Sequence, residues 1–234
     1  MTDLLCHRDA YLKEFDATVV EVDAAERAVA LDRTAFYPGG GGQPCDRGSL
    51  GSLPVLRAGR KGDVVWHWLD GDPPAVGTTV SGTIDWDLRH RLMRTHTAFH
   101  ILCGVVWRDW KAQVTGGNME PLKGRMDFEF ETLQKELVAE IETRINAEVA
   151  AAHPVSVRFL PRAEAFQIPD LIRTKINLLP EGIQEVRIVE IHGLDLQADG
   201  GTHVANTREV GRIRVVGYES KGKINKRIKL EIGD

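Results

Sequence analysis

Two pairs of residues carry the first chemical signal. His96 and His100 stand four apart in Arg94-Thr95-His96-Thr97-Ala98-Phe99-His100. On a helix, that spacing projects both imidazoles from one face. Two nitrogens so placed can reach one zinc ion, as in HExxH hydrolases. Here Thr97, Ala98 and Phe99 intervene. The glutamate that a metalloprotease uses as general base is missing, which disfavours that class. Spacing alone leaves open a second reading, two half-buried histidines on an amphipathic helix. The second pair is Asp199 and His203, again four apart, in Asp199-Gly200-Gly201-Thr202-His203. Zinc accepts nitrogen from His and oxygen from Asp, usually with four ligands. One pair on a helix and one on a loop, about a hundred residues later, can complete a tetrahedron. Asp199 can also be a turn residue bonding its own backbone. Cys103 competes for the fourth position, three residues after His100 on the same face. Three ligands from one helix would strain the site, and buried free cysteine is common.

These residues need elements to hold them. Asp85 can cap a helix that starts at Trp86. Leu88, Leu92, His96, Phe99, Cys103 and Val106 then follow at steps of three and four, one helical face. A second helix is expected over Thr132–Ala152, with the stripe Leu133, Leu137, Ile141, Ile145 and Val149, stopped by Pro154. Strands follow at Val155–Phe159 and Glu185–Ile191. A last hairpin pairs Arg212–Glu219 with Lys223–Ile232 across Ser220-Lys221-Gly222. Before Asp85 the pattern is one of short strands. Phe15–Val22 and Ala28–Asp32 flank a turn at Asp23–Arg27. Leu53–Ala58 and Asp63–Leu69 flank Gly59-Arg60-Lys61-Gly62, and Thr79–Ile84 alternates. The expected fold class is α+β: a small N-terminal β-barrel over residues 1–84, then an α+β zinc-binding domain over 85–234.

Composition bounds the rest. The 234 residues are 42% apolar and 27% charged, ordinary for a globular chain. No apolar run approaches a membrane span, and the first residues lack a signal peptide's apolar region, so a cytoplasmic protein without membrane contact is expected. Three widely spaced cysteines without a CxxC argue against a disulfide framework and a zinc ribbon. Net charge is −4, so no global field draws in nucleic acid. A local basic stretch from Arg212 to Lys229, including Lys226 and Arg227, stands against this, with Glu219 its one acidic residue. Gly39-Gly40-Gly41-Gly42 could suggest a phosphate cradle, but no GK[ST] follows and no helix starts there. A flexible turn between strands is the plainer reading.

Together these segments resemble a known family, the AlaX alanyl-tRNA editing proteins, free-standing relatives of the editing domain of alanyl-tRNA synthetase. Arg94 to Leu102 is similar to the family's HxxxH helix. Leu194-Asp195-Leu196-Gln197-Ala198-Asp199-Gly200-Gly201-Thr202-His203 resembles its second metal motif. Thr34-Ala35-Phe36-Tyr37-Pro38-Gly39-Gly40-Gly41-Gly42-Gln43-Pro44-Cys45-Asp46 resembles its glycine-rich motif, and the hairpin with Lys226-Arg227 fits as well. The glycine motif and barrel point to the medium-length type. One departure stands out: the family usually has Cys where this chain has Asp199. A harder oxygen should weaken zinc affinity and leave the metal more electrophilic. If Asp199 does not ligate, three histidines and a water form an open site. If it does, four protein ligands nominally close the shell.

The resemblance implies ATP-independent hydrolysis of the ester between a wrong amino acid and the terminal ribose of tRNA(Ala), with serine and perhaps glycine as the amino acid. It implies that Thr34 and Gln43 line the pocket and that Gly40, Gly41 and Gly42 let backbone approach the substrate. A threonine hydroxyl suits recognition of a seryl hydroxyl, whereas an alanyl methyl offers it no partner. Otherwise Thr34 is an ordinary strand residue facing solvent. Zinc would polarise the carbonyl, activate water or hold the substrate. Glu120, Asp127 and His192 lie near the motifs and read as surface or structural groups. Lys226 and Arg227 would contact phosphates, or form a solvated strand face. Two rivals stand beside this reading: a threonyl-type editing domain, against which the glycine motif counts, and a non-catalytic tRNA-binding module with structural zinc.

Overall fold

The computed structural model describes residues 1–172 and 182–233. The architecture is α+β, in two compact units, Met1–Arg91 and Leu92–Asp234. The division falls inside the first helix, because Arg89 is bound into the first unit by Asp46, Ala10 and Ala35.

The first unit contains β1 (Asp3–Leu4), β2 (Glu14–Asp23), β3 (Ala28–Leu31), β4 (Arg33–Thr34), β5 (Gly48–Leu50), β6 (Leu53–Lys61), β7 (Val64–Leu69) and β8 (Thr79–Ile84). Six of them form a closed barrel in the order β2-β3-β7-β6-β5-β8, and β1 pairs with β4 in parallel. Alternation explains the core. Val65, His67 and Leu69 of β7 point inward, while Val64, Trp66 and Trp68 lie half-buried outside. The β6–β7 turn corrects the sequence expectation. Gly59, Arg60 and Lys61 stay in the ladder, and Lys61 pairs with Val64. The turn is Gly62-Asp63, where Gly62 supplies a φ of 61°.

His67 is a polar group inside this apolar barrel. It is fully buried, with Phe36 edge-on at 5.4 Å. Its Nδ1 lies 3.3 Å from the Val29 carbonyl and its Nε2 2.9 Å from Thr34 Oγ1. Burial pushes its pKa down from 6.5 to about 4. A proton that the unfolded chain accepts below pH 6.5 is therefore refused by the folded chain until about pH 4. Stability from this group is complete above 6.5 and lost as pH falls through that window, by about 3 kcal/mol in all. His67→Gln should flatten the slope of melting temperature against pH over that range. An unchanged slope would show that His67 is not the group responsible.

The second unit continues α1 (Trp86–Trp110) and adds β9 (Val114–Glu120), β10 (Lys123–Glu129), α2 (Lys135–Ala150), β11 (Val155–Pro161), α3 (Arg162–Ala165), β12 (Glu185–Ile191), β13 (Asp195–Ala198), β14 (Ile213–Ser220) and β15 (Asn225–Ile232). One sheet has the order β14-β15-β10-β9 and another β11-β12-β13. Asp85 accepts from the Leu88 amide at 3.1 Å, so α1 starts at its cap. The one-faced stripe expected for α1 is too narrow: Leu92, Met93, Thr95 through Val106 are all buried. Over that stretch the helix is enclosed on nearly every side, while its ends carry exposed Asp87, Arg91 and Arg108. The second helix is also shorter than expected, since its N-cap Gln134 makes no side-chain cap bond and Thr132 lies outside it. Its buried face is Val138, Ile141, Ile145 and Val149. The β9–β10 hairpin escaped the pattern reading because Gly116 and Gly117 interrupt the alternation.

Candidate metal centre

His96 and His100 project from the middle of α1, and the loop after β13 carries Asp199 and His203. One ligand atom from each lies within 4.8 Å of all the others. The three imidazoles turn the same nitrogen inward. His203 Nε2 lies 3.0 Å from Asp199 Oδ2, and the Nε2 atoms of His96 and His100 lie 3.5 and 3.9 Å from Asp199 Oδ1. A tetrahedral zinc with bonds of about 2.0–2.1 Å holds its ligand atoms roughly 3.3 Å apart, so these residues fit such an ion. Cys103 is buried and lies outside the group, and Asp199 stands with the three histidines.

The far sides of two rings are held too. His100 Nδ1 donates to Asp195 Oδ2 at 3.0 Å. His203 Nδ1 lies 3.2 Å from Thr97 Oγ1, which also accepts from the Val204 amide. Such outer bonds fix ring orientation and leave Nε2 with its lone pair toward the centre. Asp199 is braced as well. Its carboxylate accepts from the Gly201 amide at 2.7 Å, and its main-chain oxygen accepts from Arg187 at 2.8 Å. The carboxylate-to-amide bond is the turn role open to Asp199, and it leaves the carboxylate beside the three imidazoles.

The electrostatics of His96, His203 and Asp199 suit ligation, which needs neutral imidazoles and an ionised carboxylate, whereas at His100 burial is outweighed by the Asp195 carboxylate, which raises the pKa. Burial lowers the His96 pKa to about 4. Burial and the neighbouring His96 also hold His203 well below its ordinary value. Burial alone would raise the Asp199 carboxyl, but the surrounding imidazoles outweigh it and hold it well below the usual carboxylate range.

Thr34 lies in the first unit and does not face solvent; it is fully buried. Its hydroxyl accepts from the Phe36 amide at 3.1 Å and pairs with His67 Nε2. Gln43 is buried at the base of the glycine turn, where it exchanges main-chain bonds with Gly40 at 2.9 and 3.1 Å. Gly39, Gly40, Gly41 and Gly42 have φ of 82°, 131°, 58° and 90°, values that disfavour any side chain. Gly40, Gly41 and Gly42 are exposed, and a Cβ at Gly41 would meet nothing within 4 Å. The glycines answer a need of the turn, and they leave its backbone open. Lys226 and Arg227 are engaged inside the second unit. Lys226 Nζ donates to the carbonyls of Gly222 and Lys223, both at 2.9 Å. Arg227 grips Asp127 with two bonds of 2.7 and 2.8 Å. Asp127 is thus an ion-pair partner, Glu120 pairs with Lys123, and His192 bonds Ser156.

Sequence reasoning missed Thr97, Arg187, Asp195 and His67. The signals were charged or polar residues inside apolar strands, as in Val186-Arg187-Ile188-Val189 and Val65-Trp66-His67-Trp68.

A family profile described as the threonyl and alanyl tRNA synthetase second additional domain matches residues 186–229, which include Asp199 and His203. The matched segment thus carries two of the four residues of the centre, while His96 and His100 lie before it. The chain is 40% identical to the alanyl-tRNA editing protein AlaX-M of Saccharolobus solfataricus, over 97% of this chain and 98% of that protein. It is 37% identical to AlaX-M of Methanosarcina barkeri over 100% of both. The alanine–tRNA ligase of Methanococcus maripaludis is 37% identical over 93% of this chain, but only 24% of the ligase is covered. The chain belongs to the family of AlaX alanyl-tRNA editing proteins of the medium type. Among the described residues, no helix is long and apolar enough to cross a membrane.

Proposed function

We propose that this chain is a cytoplasmic hydrolase that removes serine, and glycine, from mischarged tRNA(Ala) without ATP, at a zinc centre held by His96, His100, Asp199 and His203. The observation that carries the reading is the convergence of three inward Nε2 atoms and one carboxylate in a chain of this family. Bound zinc would supply a Lewis acid able to polarise an ester carbonyl, activate water or hold the amino acid. The chain's own groups prepare that centre. Asp195 and Thr97 orient two of the rings, and Gly201 and Arg187 hold Asp199 in place. The test is deacylation of seryl-, glycyl- and alanyl-tRNA(Ala) by zinc-loaded protein, expected to spare only the alanyl ester. Binding of tRNA with no hydrolysis of any of the three would instead identify a non-catalytic module with a structural zinc.

Thr34 is proposed to read the amino acid through its hydroxyl. That hydroxyl sits in a dry, ordered network, so a ligand group meeting it would find a fixed partner rather than water. Thr34→Val should lower the serine-to-alanine hydrolysis ratio about tenfold or more, while Thr34→Ser should largely keep it. An unchanged ratio in a folded Thr34→Val protein removes Thr34 from discrimination.

A further inference from the structure

We infer that Gly104 and Asp195 form a positioning device for His100, and that Gly104 controls metal affinity through Asp195. The inference rests on reading the four-residue centre as a metal site. Gly104 lies one helical turn beyond His100 on α1, on the same face. Glycine is among the poorest residues for a helix interior, so this position needs another reason. The turn between β12 and β13 supplies it. A Cβ at Gly104 would lie 2.9 Å from Leu194 Cγ, 3.0 Å from Asp195 Cβ and 3.1 Å from the Leu194 main-chain oxygen. Two of those three are not flexible tips: a backbone oxygen and the first side-chain atom of Asp195 itself. The missing methyl lets β13 begin against the helix.

What that approach delivers is the Asp195 carboxylate. Its side chain is fully buried, and its Oδ2 accepts from His100 Nδ1 at 3.0 Å. Gln197 Nε2 donates to the same oxygen at 2.7 Å and steadies it. A carboxylate accepts there, so the Nδ1 nitrogen of His100 bears the hydrogen and Nε2 keeps its lone pair. Gly104 thus acts on the centre through Asp195, and Asp195 acts through the far side of the His100 ring. Moving Asp195 by the width of a methyl group would lengthen the bond and free the ring to rotate or change tautomer.

The test measures zinc affinity of the full chain by competition with a chromophoric chelator, for wild type, Asp195→Ala, Gly104→Ala and the double variant. Circular dichroism and thermal melts report folding of each. Asp195→Ala should weaken binding about 10–100-fold. Gly104→Ala should weaken it within the same range. The double variant should bind about as weakly as Asp195→Ala alone, because the methyl has no carboxylate left to displace. Losses that multiply in the double variant, or a folded single variant with wild-type affinity, would overturn the inference. Should Gly104→Ala fail to fold, nitrogen-15 spectra of the metal-free protein decide instead. They should show His100 as the single Nδ1–H tautomer in wild type and as a mixture in Asp195→Asn; identical spectra would overturn it. A wild-type chain that takes up no zinc defeats the metal reading as well, whereas tight zinc binding untouched by these variants defeats only the role of Gly104 and Asp195.

Discussion

His96→Ala is expected to abolish stoichiometric zinc binding and deacylation together, in a chain that still folds. His96 is 5% exposed, its ring centroid lies 4.3 Å from that of His203, and its Nε2 faces the Asp199 carboxylate. A structural zinc site is worth about 10–16 kcal/mol at neutral pH, so one ligand in four carries roughly a hundredfold or more in affinity. The loss should be larger than for either outer residue, because no remaining side chain can replace the nitrogen. Metal content after dialysis and chelator competition measure it. Retained stoichiometric zinc in His96→Ala would count against the site as drawn.

The second large effect is structural. Asp46→Ala should destabilise the barrel unit by about 3–5 kcal/mol. Arg89 and Asp46 are both completely buried, and the Arg89 guanidinium bonds both carboxylate oxygens. Arg89 also donates to the carbonyls of Ala10 at 2.8 Å and Ala35 at 2.6 Å. Removing the carboxylate leaves an uncompensated charge in a dry interior, where the cost of desolvation is no longer offset. It also strips the Tyr37 amide of its acceptor, Asp46 Oδ2. Tyr37 and Asp46 bracket the glycine turn, so that turn should loosen at its base. Urea unfolding of the full chain reads the loss. The paired replacement Arg89→Met with Asp46→Leu should cost much less than Asp46→Ala, since it removes the charge along with its partner. A cost for Asp46→Ala below about 1 kcal/mol would show that water reaches this pair.

Local features are legible in the order of residues alone. The start of α1 at Trp86 follows from Asp85 as cap, and β8 and β12 have the bounds that alternation and apolar runs suggest. The four candidate ligands follow from spacing and residue type, because a helix or a tight loop fixes which side chains share a side. Other parts are hidden. The β9–β10 hairpin has glycines where a strand pattern needs side chains. The basic hairpin has the pattern of a free cationic face, but Asp127 and Glu231 reach it from elsewhere in the sheet or further along its own strand. The glycine-rich run suggests close approach to a ligand, and its positive φ angles add a need for glycine in the turn itself.

The sequence by itself determined the family and brought forward the candidate ligands, since both rest on residue types at short spacing within separate segments. Only the tertiary structure decided that Asp199 rather than Cys103 joins the three histidines, and which nitrogen each ring presents. The reason is distance along the chain. His100 meets Asp195 across 95 residues and Thr97 meets His203 across 106. Such contacts depend on how closely β13 and the following loop can pack against α1, and no local spacing encodes that approach.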